Sequence, residues 1–190
     1  MKGTTIRAFV ALDLDTTSVR RVIRVADRLR MGSGAPSATW TSAPKLHLTL
    51  KFMEELATDA AAPLATALRA LAEGKAAPAP CAFRLDAFPS VEEARIVVVE
   101  LADRSGELSK LADRVAKLCA KHGVPREEQP LRPHVTLARL KRPYDARRWI
   151  RPDLAERAGD CKASHLTLYQ SEPATSGAVY TPLARFRFDE

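Results

Sequence analysis

The sequence predicts an α+β fold built from two similar lobes, within a single domain that spans residues 1–190. Strand and helix patterns follow one another without the regular βαβ alternation of parallel sheets, which favours largely antiparallel pairing. A His-x-Thr segment occurs twice, about half the chain apart, which indicates two lobes related by duplication. No stretch resembles an interdomain linker, since residues 30–37 and 74–80 are typical of ordinary loops.

The first half contains two predicted strands and two predicted helices. The apolar run at residues 7–14 predicts a strand, and Asp15 or Thr16 can cap the helix that follows. The buried side of this helix has five apolar residues at helical spacing, namely Val19, Val22, Ile23, Ala26 and Leu29. Residues 46–52 predict a second strand. Residues 60–73 predict a second helix, which ends at the glycine and prolines after it.

The second half contains five predicted strands and one helix. Residues 83–88 and 95–101 are predicted to pair across a turn. Residues 105–122 predict the clearest helix, because apolar residues recur at helical spacing and Gly123 suits its C-terminal end. The remaining strands are predicted at residues 134–140, 166–170 and 179–188.

Composition and charge limit the class of protein. Hydrophobic residues make up 46% and charged residues 28%, as in globular proteins, and no apolar run is long enough to span a bilayer. A net charge of +7 and a pI of about 9.6 suit a polyanionic partner, although they also suit simple solubility. The three cysteines are odd in number and widely spaced, which argues against disulfides and zinc ligation. We therefore expect a cytoplasmic protein that contacts no membrane and binds no metal.

The repeated segment is the most informative feature of the chain. Residues 46–50, LHLTL, return as residues 133–137, PHVTL. In a strand, residues i and i+2 share a face, so each histidine points the same way as the threonine two places later. Two such strands side by side would place two imidazoles and two hydroxyls around one cleft.

That group of side chains suits phosphodiester hydrolysis. One histidine would take a proton from water while the other gives a proton to the leaving ribose oxygen. Threonine hydroxyls can donate hydrogen bonds to the non-bridging phosphate oxygens. The candidates are His47 and His134 for proton transfer, with Thr49 and Thr136 for phosphate binding. The sequence alone leaves open which histidine is the acid and which the base.

A third copy of the motif lies at residues 165–168, HLTL. It follows the second copy by only 31 residues, and no nearby proline precedes it. A twofold axis pairs two strands, so we interpret this copy as incidental, with His165 at the start of a strand.

The paired motifs resemble the signatures of the two-histidine phosphoesterase superfamily. Further segments are similar to its bacterial and archaeal branch, the RNA 2',3'-cyclic phosphodiesterases, also called 2'-5' RNA ligases. These segments are RAFVA at residues 7–11, KL and KF around the first motif, RP before the second, and YTPL at residues 180–183. The resemblance covers almost the whole chain.

This resemblance implies a bilobal fold with two largely antiparallel sheets flanking a central cleft and helices outside. It implies hydrolysis of RNA 2',3'-cyclic phosphate ends to 2'-phosphates without cofactor or metal, by a monomer acting on RNA ends or cyclic nucleotides. It assigns His47 as proton donor, His134 as proton acceptor, and Arg139 to the phosphate or ribose. The family usually has FLGE after its first motif, whereas residues 52–55 here are FMEE, a change in the turn rather than the chemistry.

Strand parity conflicts with the role of Arg139. It lies five residues after His134, so an unbroken strand would point it away from the cleft, and it can contribute only if the strand ends or bulges first. Lys51 has the parity of His47, which would place it on the cleft side or at the solvated end of the sheet.

Other features leave alternatives open. Phe9, Trp40 and Tyr180 are candidates for stacking on a base, although core packing is the favoured interpretation for each. Two arginine clusters are either solvated helix faces or surfaces that RNA approaches, namely Arg20, Arg21, Arg24 and Arg28, and Arg147, Arg148 and Arg151. The alternatives to a hydrolase are a module that binds RNA ends without turnover and a 2'-5' RNA ligase acting at the same site.

Overall fold

The architecture comes from a computed structural model, which describes residues 4–32, 34–126, 129–174 and 177–189. Within these residues, eight strands and three α-helices form a mixed α+β fold. Every predicted element is present, several strands extend beyond their predicted bounds, and the short strand at Ala38–Trp40 was not predicted from sequence. The strands are β1 (Thr5–Leu14), β2 (Ala38–Trp40), β3 (His47–Ala57), β4 (Cys81–Phe88), β5 (Ala94–Ala102), β6 (His134–Tyr144), β7 (Ala163–Glu172) and β8 (Val179–Arg187). The helices are α1 (Thr16–Met31), α2 (Ala61–Arg69) and α3 (Glu107–Lys121).

All strand pairs named here are antiparallel, and the strand order is β4-β5-β6-β3-β1-β7-β8, with β2 pairing to β6. The antiparallel α+β prediction is therefore confirmed. The expected separation into two sheets is wrong in one respect, because a pairing of Leu48 with Val135 joins the two halves into one sheet. Outward from this junction one half has β6, β5 and β4 and the other has β3, β1, β7 and β8. Descent by duplication stays a prediction.

The helices cover one face of the sheet because alternate strand residues on that face are apolar. In β1 these are Ala8, Val10, Leu12 and Leu14, all buried. They join a core to which α1 contributes Val22, Val25 and Leu29. The Asp15 side chain caps α1 by accepting a hydrogen bond of 2.6 Å from the Ser18 N–H, as the sequence predicts. The opposite face of the sheet is left for the cleft.

The N-terminus of α3 is held by Asp103, whose carboxylate accepts hydrogen bonds from the N–H groups of Leu108 and Ser109. Gly123 has a φ of 84° just after the helix, a left-handed conformation that glycine adopts without strain. Cys81, Cys119 and Cys161 are free thiols. No helix in the described part of the chain is long and apolar enough to cross a membrane.

Candidate active site

The first histidine strand follows the predicted alternation. Leu48 and Leu50 are buried in the core, whereas His47 and Thr49 are half-buried and face the other side. A short 3-10 turn at Ala43–Lys45 brings the chain into β3 directly before His47. Across the β1–β3 ladder, the residue opposite His47 is Asp13.

The second histidine strand has the same arrangement in the other half. Val135 and Leu137 are buried, and His134 and Thr136 are half-buried on the cleft side. The residue opposite His134 in β5 is Glu100. Each histidine is thus paired across its ladder with a carboxylate residue.

A β-bulge resolves the position of Arg139. In the β5–β6 ladder Thr136 pairs with Val98 and Ala138 with Val97, so Leu137 is an extra residue. Leu137 and Ala138 are both buried, and the alternation is reversed after them. Arg139 consequently faces the cleft.

The first half contains the same irregularity. Thr49 pairs with Ala11 and Lys51 with Val10, which leaves Leu50 as the extra residue. Leu50 and Lys51 are both buried, and Phe52 faces the cleft at the position equivalent to Arg139. The parity prediction for Lys51 is therefore wrong, because the bulge directs it to the face away from the histidines.

One cavity of about 270 Å³ collects the predicted residues. His47, Thr49, His134, Thr136 and Arg139 all line it. The remaining wall is partly aromatic and includes Phe9, Trp40, Phe52 and Tyr180. The structure thus brings together two imidazoles, two hydroxyls and one guanidinium from strands 87 residues apart.

Both imidazoles are held in the same orientation. Nδ1 of His47 lies 2.8 Å from the Lys45 carbonyl oxygen, and Nδ1 of His134 lies 2.8 Å from that of Arg132. A carbonyl only accepts hydrogen bonds, so each Nδ1 carries the proton. Nε2 of each ring is therefore the nitrogen available for proton exchange in the cavity.

His47 sits among aromatic rings. The Phe9 ring is stacked on it with centroids 5.0 Å apart, and the Tyr180 ring meets it edge-on at 5.5 Å. Burial lowers the pKa of His47, and both the hydrogen bond to the Lys45 carbonyl and the Asp13 carboxylate oppose that shift. The charges of His134 and Arg139 act in the same direction as burial, so the net effect is a lowered pKa of His47.

His134 has a different electrostatic neighbour. Burial also lowers its pKa, the bond to the Arg132 carbonyl opposes this, and the charge of the Arg132 guanidinium lowers it further. The Arg132 side chain is fixed by Glu100, at 2.7 Å, and by Asp86. It lies 4.5 Å over the Phe88 ring, which in turn packs edge-on against His134 at 5.0 Å.

Asp13 belongs to a buried hydrogen-bond network beneath His47. Its carboxylate accepts from the Thr167 hydroxyl at 2.9 Å, the Tyr169 hydroxyl at 2.8 Å and Nε of Arg185 at 2.8 Å. The third motif copy therefore places Thr167 in this network. Among the described residues, His165 does not line the cavity. Its Nδ1 lies 3.0 Å from the Ser164 hydroxyl.

Sequence analysis missed Asp13, Phe52 and Lys45. Asp13 was visible as a charged residue within an apolar strand and with the parity of Phe9. Lys45 donates to the Ala178 carbonyl at 2.9 Å and lies 5.7 Å over the Tyr180 ring, closing one side of the cavity. Phe9 is buried against His47, so packing is a large part of its role.

The described residues contain no group of three or more His, Cys, Asp and Glu side chains arranged to hold a metal ion. The cationic and hydrogen-bonding groups in the cavity are the imidazoles, the hydroxyls, Arg139 and Lys45. This set can bind an anion and exchange protons.

Comparison with known proteins relates this site to one family. The model of the 2'-5' RNA ligase superfamily matches residues 19–175. A protein of Aeropyrum pernix named RNA 2',3'-cyclic phosphodiesterase is 28% identical over 173 residues, which cover 87% of this chain and 93% of that protein. A protein of Aquifex aeolicus with the same name is 25% identical over 187 residues, covering 95% and 96%.

Solved structures share the fold. Escherichia coli LigT complexed with 3'-AMP superimposes with a TM-score of 0.70 at 22% identity, covering 98% of this chain and all of LigT. The protein TT0787 of Thermus thermophilus has a TM-score of 0.72 at 21% identity, covering 96% and 98%. Because these superpositions cover almost the whole chain, the structural similarity includes both halves of the sheet.

Proposed function

The chain belongs to the 2'-5' RNA ligase superfamily, and we propose that it hydrolyses the terminal 2',3'-cyclic phosphate of RNA to a 2'-phosphate. The relatives named RNA 2',3'-cyclic phosphodiesterase support this activity. The observation that carries the proposal is the pair of imidazoles in one cavity, each held through Nδ1 so that Nε2 is available.

In the proposed reaction, Nε2 of neutral His134 takes a proton from water as the water oxygen attacks phosphorus. The bond between phosphorus and the 3' oxygen breaks, and protonated His47 gives its Nε2 proton to that oxygen. The products are a 2'-phosphate and a 3'-hydroxyl, and the two histidines end in exchanged protonation states. Exchange of protons with solvent restores the starting enzyme.

The electrostatic neighbours support this division of roles. The Asp13 carboxylate favours the protonated form of His47, as a general acid requires. The Arg132 guanidinium favours the neutral form of His134, as a general base requires, although Glu100 acts in the opposite direction. Both imidazoles have a carboxylate nearby, and the difference between the two sites is the Arg132 guanidinium, which acts on His134.

The phosphate is proposed to lie between the two motifs. The hydroxyls of Thr49 and Thr136 would donate to its non-bridging oxygens, and Arg139 would supply a charge-assisted bond. These groups neutralise the charge that rearranges in the transition state, so the proposed mechanism is independent of metal.

The decisive test is hydrolysis of a dinucleotide ending in 2',3'-cyclic phosphate. His47→Ala and His134→Ala should each lower kcat at least about a hundredfold, and the double variant should lose much less than the product of both effects. A nitrophenyl ester substrate, whose leaving group needs no acid, should rescue His47→Ala and leave His134→Ala inactive. Rescue of His134→Ala alone would reverse the roles.

Tight binding of the dinucleotide without turnover would instead favour a binding module that lacks catalysis. Product analysis adds a second control, because a 3'-phosphate product would contradict cleavage of the bond to the 3' oxygen.

A further inference from the structure

Two arginine clusters that are far apart in sequence meet beside one groove. Arg24 and Arg28 lie on α1, while Arg148 and Arg157 lie in the segment between β6 and β7. We call these four residues, all exposed, the arginine groove. A groove of about 350 Å³ is lined by Arg28, Arg148 and Arg157, and an adjoining groove of about 190 Å³ is lined by Arg24, Arg28 and Arg157.

The two segments are held together firmly. The Trp149 ring is buried, and its Nε1 donates a hydrogen bond of 2.9 Å to the Leu29 carbonyl in the last turn of α1. Leu154 is also buried in the core. The packing therefore fixes the backbone positions from which the arginines of the two segments extend.

Like charges gathered in this way repel one another. The described residues lining the two grooves include no acidic side chain, although the Asp145 carboxylate outside the lining interacts with Arg148. The C-terminal end of α1 favours Arg28 through the helix dipole, but that effect does not extend to Arg148 or Arg157. A bound polyanion would relieve the repulsion.

Contact between two tryptophans links the arginine groove to the proposed catalytic cavity. Trp149 lines the groove, and its ring meets the Trp40 ring edge-on at 6.2 Å. Trp40 lines the cavity that contains His47 and His134. The Arg30 guanidinium lies 5.4 Å over the Trp40 ring, so cationic groups continue from the groove to the cavity edge.

We propose that the arginine groove binds the phosphodiester backbone of an RNA strand upstream of the cyclic phosphate end. This inference rests on the proposed function, which places the strand's 3' end in the cavity. Guanidinium groups bind phosphate oxygens through two parallel hydrogen bonds. Contacts of this kind do not involve the bases, so binding should be independent of RNA sequence. Binding should weaken as salt rises, because each phosphate contact releases counterions. We expect a dinucleotide to occupy the cavity alone and a longer strand to extend past Trp40 toward the groove.

The test compares a dinucleotide and a ten-nucleotide RNA, both ending in 2',3'-cyclic phosphate. Arg28→Ser with Arg157→Ser removes two groove charges, and Arg114→Ser with Lys121→Ser on α3 removes two exposed charges from the other half. The groove variant should raise KM for the longer RNA about tenfold and leave dinucleotide kinetics unchanged. The control variant should change neither by more than about twofold.

Salt dependence and direct binding complete the experiment. For the groove variant, the slope of log affinity against log salt for the longer RNA should fall by about 1 to 1.5, as expected for two lost phosphate contacts on a single strand. Equal weakening by both variants would mean that only net charge matters, and weakening on the dinucleotide would mean that the cavity itself was damaged. Either result overturns the inference.

The binding arm also separates this inference from the proposed function. Fluorescence anisotropy with a labelled ten-nucleotide RNA needs no turnover, so it measures the groove even if the enzyme fails to open the cyclic phosphate. Absence of dinucleotide hydrolysis contradicts the proposed function alone. If the groove variant binds the labelled RNA as tightly as the wild type, the inference alone is contradicted. Thermal unfolding of both variants at the same temperature shows that the substitutions have not changed the fold.

Discussion

Replacement of Asp13 tests both the stability of the network and the division of roles between the histidines. In Asp13→Asn, the amide oxygen can accept from Thr167 and Arg185, and the Tyr169 hydroxyl can turn to accept from the amide nitrogen. That variant removes the charge while keeping the hydrogen bonds. Asp13→Ala removes both.

The cost of each change follows from burial. Asp13→Ala leaves the fully buried Thr167 hydroxyl and the half-buried Tyr169 hydroxyl without their acceptor, at about 1–3 kcal/mol each. The Arg185 side chain is 53% exposed, so its lost ion pair adds at most about 1 kcal/mol. We expect a loss of about 3–5 kcal/mol in the free energy of unfolding for Asp13→Ala and about 1–2 kcal/mol for Asp13→Asn, measured by urea denaturation.

The catalytic readout is the pH dependence of kcat/KM, which should be bell-shaped. Because the Asp13 charge raises the pKa of His47, Asp13→Asn should move the alkaline limb, where the acid loses its proton, to lower pH. Glu100→Gln is the matched variant in the other half. Because the Glu100 charge raises the pKa of His134, that change should move the acidic limb to lower pH.

The two variants together can refute the assignment. If Asp13→Asn moved the acidic limb and Glu100→Gln the alkaline one, the roles of His47 and His134 would be exchanged. Unmoved limbs in a folded Asp13→Asn enzyme would show that the network is structural only.

Three further outcomes are expected. Turnover should persist in EDTA, because the imidazoles, hydroxyls and Arg139 are proposed to neutralise the charge on the phosphate. Loss of turnover in EDTA that one divalent metal restores would contradict this. His165→Ala should keep kcat within a few-fold of wild type, because the ring lies outside the described cavity lining; a loss like that of His47→Ala would show that the wrong motifs were paired. Arg139→Ala should lower kcat/KM more than tenfold in the same assay. Arg139→Lys should restore only part of this loss, because lysine keeps the positive charge but cannot form the two-pronged contact of arginine.

The sequence predicted all the elements except the three-residue strand β2, and it predicted the faces of the motifs, because both depend on local periodicity. Leu48 and Val135 are buried as the alternation requires, which turns His47 and His134 to the opposite side. The helix caps also follow from neighbours in sequence, as Asp15 shows.

The bulges could not be predicted in the same way. No glycine or proline marks Leu50 or Leu137, and each becomes an extra residue only through the register of a partner strand. That register placed Arg139 in the cavity and removed Lys51 from it. Local pattern carries no information about the register of a distant strand.

The Asp13 network was hidden for a related reason. Its donors Thr167, Tyr169 and Arg185 follow Asp13 by 154 to 172 residues, so only the folded sheet brings them together. The sequence showed a carboxylate in an apolar strand but not the groups that satisfy it.

The junction between the halves also determines which dimensions of the cleft are fixed. Leu48 and Val135, the residues that pair across it, directly follow His47 and His134 in their strands. The junction therefore lies next to the two imidazoles. Its backbone pairing limits how far the two histidine strands can separate at that point. The spacing of the imidazoles is thus the dimension of the cleft that the backbone constrains most directly.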